Sequence, residues 1–287
     1  MTYGFMQQHR STFGVERMCR LLGVSRSGYY AGRRRAPSAR SQANTALLGH
    51  IHAVHAQSRT RYGSPRVTHE LRAQGHRCGR HRVARLMRAH GVVGKVTRRF
   101  KRTTRPARRP QAAPNLVPAP FASAGPNRVW VTDITYLATQ EGWLYLAVLV
   151  DVWSRLVVGW ALHHRLTDEL VCTALRHALH HRLPARGFIV HSDRGSQYTS
   201  TAWATVLTAW GGRASMSATG HCYDNALAES FFHTLKGELG DGTPFPSRAA
   251  ASDAVFEYIA VFYNRQRRHS ALGYLAPATF EDHHHAA

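Results

Sequence analysis

Gly187-Phe188-Ile189-Val190-His191-Ser192-Asp193 and, further on, Asp224-Asn225-Ala226-Leu227-Ala228-Glu229-Ser230-Phe231-Phe232-His233-Thr234-Leu235-Lys236 decide how this chain is read. In the first stretch, an apolar run bounded by Gly187 and Arg194-Gly195 predicts a buried strand. Asp193 then stands at its C-terminal tip, where ligands of open α/β sheets bind. The second stretch predicts a helix. Asn225, Glu229, His233 and Lys236 recur at steps of four, four and three, so they share one face of it. Ala226, Leu227, Ser230, Phe231 and Leu235 form the face expected to pack on the sheet. A third carboxylate lies within Arg128-Val129-Trp130-Val131-Thr132-Asp133-Ile134-Thr135-Tyr136, a β-branched and aromatic run. An ionised Asp inside a buried strand is costly unless it is paired or binds a metal. Asp133, Asp193 and Glu229 are therefore the expected catalytic and metal-binding cluster.

Thirty-five residues separate Asp193 from Glu229. With the flanking Trp-Val-Thr-Asp, His-Ser-Asp-Arg-Gly-Ser-Gln-Tyr and Tyr-Asp-Asn-Ala-x-Ala-Glu-Ser, the pattern resembles the D,D,35,E core of retroviral integrases and bacterial transposases. Over nearly its whole length the chain resembles the second-frame protein of the insertion-sequence-three family of transposases. The closing stretch Tyr263-Asn264-Arg265-Gln266-Arg267-Arg268-His269-Ser270-Ala271-Leu272-Gly273-Tyr274-Leu275-Ala276-Pro277 resembles that family's last motif. The resemblance implies an α/β fold: a ribonuclease H-like catalytic domain, with a mixed five-stranded sheet flanked by helices, behind a small all-helical helix-turn-helix region. It also implies a multimeric active form, and an upstream frame that encodes an end-recognising partner, often fused by frameshifting.

Charge is distributed unevenly. The 287 residues carry a formal net charge of +22, yet residues 1–110 hold 25 Lys and Arg against only Glu16 and Glu70, and the remainder is close to neutral. A solvated surface normally mixes both signs. This asymmetry points to an anionic polymer, nucleic acid above all. The four cysteines, Cys19, Cys78, Cys172 and Cys222, show no C-x-x-C pair, which argues against a disulfide framework and a cysteine-rich zinc site. Most of the 20 histidines stand alone or in His-His pairs in Ala/Arg-rich helical runs and are read as structural or surface groups. No apolar stretch approaches the ~20 residues of a membrane span, and the first ten residues lack the apolar core of a signal peptide. A cytoplasmic location, away from any membrane, is expected.

Along the chain, Val15–Leu22 predicts a short helix ended by Gly23, followed by a second helix capped by Ser25 or Ser27 and flanked by Arg33, Arg34 and Arg35, a helix-turn-helix pattern. These residues form a first segment, 1–35. Residues 36–95 form a basic helical DNA-binding module. Leu47, Leu48, Ile51 and Val54 recur at helical spacing, Ser64-Pro65 is read as a cap and first turn, and the Gly79–Gly91 helix exposes Arg82 and Arg85 beside a Val83, Leu86, Met87 stripe. Residues 96–126, with Arg98, Arg99 and six prolines, read as an extended basic linker. The catalytic core and its C-terminal helices take 127–287. There the pattern gives three strands, a helix capped by Thr167, the Asp193 strand, another helix, a short fifth strand at 214–217, the Glu229 helix, and a long helix marked by Phe256 to Tyr263. Asp151 also ends an apolar strand, but its expected task is accepting hydrogen bonds in the turn with Ser154 or Arg155. Asp224 is expected to cap the Glu229 helix.

Three carboxylates without a His or Cys partner make a hard oxygen site suited to Mg²⁺ or Mn²⁺. Two such ions, about 3.5–4 Å apart, serve the attacking and leaving oxygens of phosphoryl transfer. Asp133 is expected to bridge both, with Asp193 on one and Glu229 on the other. Lys236 is expected to hold a backbone phosphate, with His233 and Asn225 near the DNA end. The arginines at 33, 34, 35, 82, 85, 98 and 99 are expected to grip phosphates rather than read bases. The expected activity is cleavage of element ends and their joining to target DNA. The alternatives are a nuclease of the same fold that only hydrolyses, and a non-enzymatic DNA-binding regulator.

Overall fold

The structure, a computed structural model, describes residues 2–95, 113–117, 123–217, 226–240 and 242–285. Arg98, Arg99, Asp224, Asn225 and most of the expected linker lie outside the described residues.

The N-terminal part is helical: α1 (Thr2–Gln8), α2 (Val15–Leu21), α3 (Arg26–Arg34), α4 (Ala39–Gln57), α5 (Ser64–Ala73) and α6 (Arg80–Ala89). The expected pair α2–α3 forms, and Ser25 caps α3 by accepting the Gly28 amide at 3.0 Å. The sequence reading missed α1, whose Met6 is buried against Tyr29, Met18 and Cys19. Ser64 does not cap α5. It lies inside the helix, Gly63 takes the cap position, and the Ser64 carbonyl accepts from the Thr68 hydroxyl instead.

Behind these helices come β1 (Val129–Thr139), β2 (Gly142–Asp151), β3 (Val157–His163), α7 (Asp168–Arg182), β4 (Ile189–Ser192), α8 (Thr201–Ala209), β5 (Arg213–Met216), α9 (Ala226–Leu239), α10 (Arg248–Phe256) and α11 (Pro277–His285). This is the element order expected from the sequence. The strands form one sheet in the order β3-β2-β1-β4-β5. The β1–β2 and β2–β3 pairs are antiparallel and the β1–β4 and β4–β5 pairs parallel, so the sheet is mixed. Leu146 to Leu149 of β2 are completely buried because both faces of the sheet are covered. Each Leu or Val side chain among them contributes about 1.5–3 kcal/mol. One face packs against α7 and α8 through Trp130, Leu149, Leu175 and Trp203. The other meets α9 and the α10 region through Val131, Phe231, Leu235 and Tyr258, and this second core runs on without a break into Ile51, Val67 and Val83 of the helical module.

Four local expectations need correction. Thr167 precedes α7 at the cap position, but its side chain makes no cap bond and its hydroxyl is buried without a partner. The long helix expected around Phe256 changes character there, since Glu257–Tyr263 continues α10 as a π-helix. On α9 the buried face is Ala228, Phe231, Phe232, Leu235 and Glu238, while Ala226 and Ser230 are exposed. The adjacent Phe231 and Phe232 both demand burial and turn the helix by about one residue from the expected stripe. Finally, described residues of the expected linker dock on the sheet: Leu116 donates its amide to Ser215 Oγ at 2.9 Å, and Val117 is buried.

Candidate active site

Register brings the first two acids together. In the parallel ladder Val129 pairs with Ile189, Trp130 with Val190 and Val131 with His191. Two residues further along each chain stand Asp133 and Asp193. Within the paired segment, equivalent positions point to the same side of the sheet about 4.8 Å apart; Asp193 stands one residue past the end of β4, so the ladder aims it toward Asp133 without fixing a distance. Both carboxylates are oriented by backbone amides: Asp133 Oδ1 accepts from Ile134 N at 2.8 Å and Asp193 Oδ1 from Gly195 N at 2.9 Å. A Cβ at Gly195 would stand 3.0 Å from Asp193 Oδ1 and 3.3 Å from Gln197 Oε1, so any larger residue there would have to displace the carboxylate by a few tenths of an ångström.

Tyr198 closes the floor. Its hydroxyl pairs with Thr132 Oγ1 at 3.2 Å and the ring is buried. Burial, then the charges of Asp133 and Asp193, hold the phenol well above its ordinary pKa, so it stays neutral. Burial also pushes the Asp193 carboxyl up, opposed by the Gly195 amide. Its side chain is nonetheless exposed at the cleft mouth, where solvent screens much of that shift.

The third acid arrives on α9, which packs against β1. Glu229 is exposed in the first turn of that helix. Lys236, two turns on, is half-buried. Burial lowers its pKa and the Asp133 charge raises it, and Nζ sits 4.5 Å from the centre of the Tyr136 ring. His233 shares a cleft with it. Among the described residues no three of His, Cys, Asp and Glu stand together closely enough to hold one ion. The charges of Asp133 and Asp193 both act on the buried Tyr198, and the Asp133 charge reaches Lys236, while Asp133, Asp193 and Glu229 do not stand together as one cluster. The donor chemistry suits a hard cation: the nearby His191 ring is engaged by Ser215 Oγ at 2.8 Å and Ser217 Oγ at 3.2 Å. Asp151 is no part of the site. Fully buried, it accepts from Asn127 N, Trp153 N and Ser154 N at 2.7–3.0 Å, the turn role expected of it.

Of the expected phosphate-gripping residues, Arg33, Arg34, Arg35 and Arg85 are exposed. Arg82 is half-buried and donates Nε to Asn44 Oδ1 at 2.9 Å.

Sequence reasoning missed Glu238. At the buried end of α9 it accepts from Arg267 Nη2 at 2.7 Å and from the Tyr258 hydroxyl at 2.9 Å. Arg61 and Lys95 of the helical module donate to its carbonyl at 3.2 and 3.3 Å. The available signal was an acid seven residues after Phe231, in the apolar stripe of its own helix.

Residues 123–222 and 211–277 each match a family model described as an integrase core domain, and residues 42–100 match one described as an HTH-like domain. The transposase InsF for insertion sequence IS3A of Escherichia coli (strain K12) is 45% identical over 284 residues, 98% of this chain and 99% of that protein. An insertion element IS600 uncharacterized 31 kDa protein of Shigella sonnei is 45% identical over 268 residues, 93% of this chain and 98% of that one. Among solved structures, the HTLV-2 integrase catalytic core domain in complex with magnesium (trimeric form) aligns at a TM-score of 0.43 and 18% identity, covering 56% of this chain and 99% of that one.

Proposed function

Because the chain belongs to the IS3-family transposases, polynucleotidyl transferases with an integrase catalytic core and an HTH-like domain, we propose that Asp133, Asp193 and Glu229 are its catalytic carboxylates. With them it cuts the ends of its element and joins the 3′ ends to target DNA. The observation that carries this reading is that the β1–β4 ladder runs toward both Asp133 and Asp193, whose charges meet at the buried Tyr198.

Asp133 and Asp193 would hold the divalent ions, and Glu229 would complete the ligand set from α9. Mg²⁺ or Mn²⁺, as two ions, would supply Lewis acidity at the attacking and leaving oxygens. Lys236, already drawn toward Asp133, holds a backbone phosphate, with His233 and Asn225 near the DNA end. Tyr198 adds no charge because its phenol stays protonated. Residues 1–35 and 36–95 bind DNA through Arg33, Arg34, Arg35, Arg82 and Arg85, and 96–126, with Arg98 and Arg99, links them to the catalytic core at 127–287. The family resemblance supports a homo-multimer working with an upstream-frame partner or frameshift fusion. Among the described residues no helix is long and apolar enough to cross a membrane, in keeping with action on cytoplasmic DNA.

The test joins a labelled 3′-hydroxyl oligonucleotide to plasmid DNA in the presence of Mg²⁺. Asp193→Asn and Glu229→Gln each abolish joining and cleavage yet retain DNA binding. Unchanged cleavage in both variants refutes the site. Hydrolysis by the parent without joining points to a nuclease.

A further inference from the structure

Beside Lys236, on which the Asp133 charge acts, the β1–β2 hairpin opens a cleft of about 590 Å³. The β1–β4 ladder stops at Val131, and Phe245 takes up the β1 edge again from Ala138. The cleft lies along the intervening segment. Tyr136 and Trp143 form one wall, 51% and 50% exposed, with ring centres 4.9 Å apart edge to face. Lys95 and Lys236 supply the cationic rim, with His233 beside them. An edge-to-face pair of this kind stabilises a hairpin, but that contact does not require cations converging from α9 and from the end of the helical module. An aromatic face ringed by cations fits a nucleotide, since every base has a π-face to stack and a phosphate to neutralise. Tyr136 follows Asp133 by three residues, about 10 Å along the strand, and Lys236 links the two: its Nζ lies 4.5 Å from the centre of the Tyr136 ring and the Asp133 charge acts on it.

We propose that the Tyr136–Trp143 cleft seats an unpaired base of the DNA strand being processed, beside the phosphodiester held at Asp133 and Asp193. The proposal rests on the reading of those acids as catalytic. Stacking is tolerant of sequence, so the cleft takes whichever base leaves the duplex next to the reaction and holds the strand open.

The test uses the full chain with two probes: a blunt duplex, and a forked duplex whose single-stranded 3′ tail carries 5-iodouracil. On irradiation, crosslinks map to peptides bearing Tyr136 or Trp143. Tyr136→Ala and Trp143→Ala bind the forked probe about tenfold more weakly and the blunt probe like the parent, and Tyr136→Phe and Trp143→Phe restore the difference. Crosslinks confined to other peptides, with alanine variants that melt like the parent and bind both probes equally well, overturn the proposal. So do alanine variants whose only change is a smaller species in sizing chromatography, which makes the cleft a contact between copies. Glu229→Gln in the same assays keeps the two readings apart: retained joining refutes the assignment of the acids, whereas lost joining with no crosslink at the hairpin refutes the cleft alone.

Discussion

Replacing Glu238 by Gln is the sharpest probe of how the helical module and the catalytic core are held together. The change is nearly isosteric; it removes the charge and turns one of the two acceptor oxygens into an amide donor. Glu238 and Arg267 are 3% and 5% exposed, and Glu238 Oε2 and Oε1 accept from Arg267 Nε at 2.9 and 3.1 Å, with Nη2 at 2.7 Å from Oε1. Burial alone would lower the Arg267 pKa; the bonds and charge of Glu238 overcome this and raise it. With the carboxylate gone, a guanidinium stays buried without compensation, at a cost of about 3–5 kcal/mol, a large part of the ~5–15 kcal/mol that a folded domain has. The expected fall in Tm is roughly 6–20 °C, taking about 2–4 °C per kcal/mol. Urea unfolding followed by circular dichroism reads the same loss. Glu169→Gln is the control: its partner Arg176 is 2.8 Å away, but both side chains are largely exposed, and less than about 1 kcal/mol is at stake. The pair Glu238→Leu with Arg267→Met recovers much of the deficit, since apolar groups replace a buried pair well. Recovery stays partial, because Arg66, 3.8 Å from Glu238 Oε1, and the Tyr258 hydroxyl lose their partner. A Glu238→Gln protein within about 1 kcal/mol of the parent would refute the reasoning.

Burial, then Arg267, Arg66 and Arg155, pushes the His269 pKa down to about 2. The unfolded ring titrates near 6.5, so below that pH the unfolded chain binds the additional proton. His269 therefore stabilises the fold fully above about pH 6.5, and about 1.4 kcal/mol is lost per pH unit below it; in urea titrations between about pH 5 and 6, His269→Gln shows a slope shallower by close to one proton. Gly159→Ala places a Cβ against the Ala174 carbonyl and 2.6 Å from the Ala178 Cβ, where β3 meets α7. It destabilises by at least about 1–3 kcal/mol, and a midpoint in urea equal to the parent's contradicts this close approach. Arg85→Ala, at an exposed position on α6, weakens DNA binding across sequences and reduces the slope of log K against log salt by about 0.9; anisotropy titrations in rising salt that give an unchanged slope remove Arg85 from the phosphate contacts.

The parts of the fold legible in the sequence were those with one dominant local cause. β2 reads as a central strand because Leu144 to Val150 are apolar throughout, and only a sheet covered on both faces buries Leu146 to Val150 together. Asp193 reads as a strand tip because Gly187 and Gly195 bracket so short an apolar run. Its alignment with Asp133 is a matter of register between strands far apart in the chain, and only the ladder displays it. Capping was harder. Ser64 and Thr167 are residue types that favour caps, yet the Ser64 backbone is already helical and the Thr167 hydroxyl is turned inward. Glu238 was missed because an acid in an apolar stripe is explained only by Arg267, which enters from another helix end. The Tyr136–Trp143 wall escaped notice because each ring looked like ordinary strand content until the hairpin set them side by side.

The two aspartates are placed by the sheet and not by each other. Strand side chains alternate between faces, so inserting or deleting a single residue within Val129–Asp133 or Ile189–Asp193 would send one acid to the opposite side. Changes of length in the turns after β2 or before β4 leave the alignment untouched. Descendants of this chain can therefore lengthen or shorten their connecting loops freely, while the few residues leading up to each aspartate must keep an unbroken count.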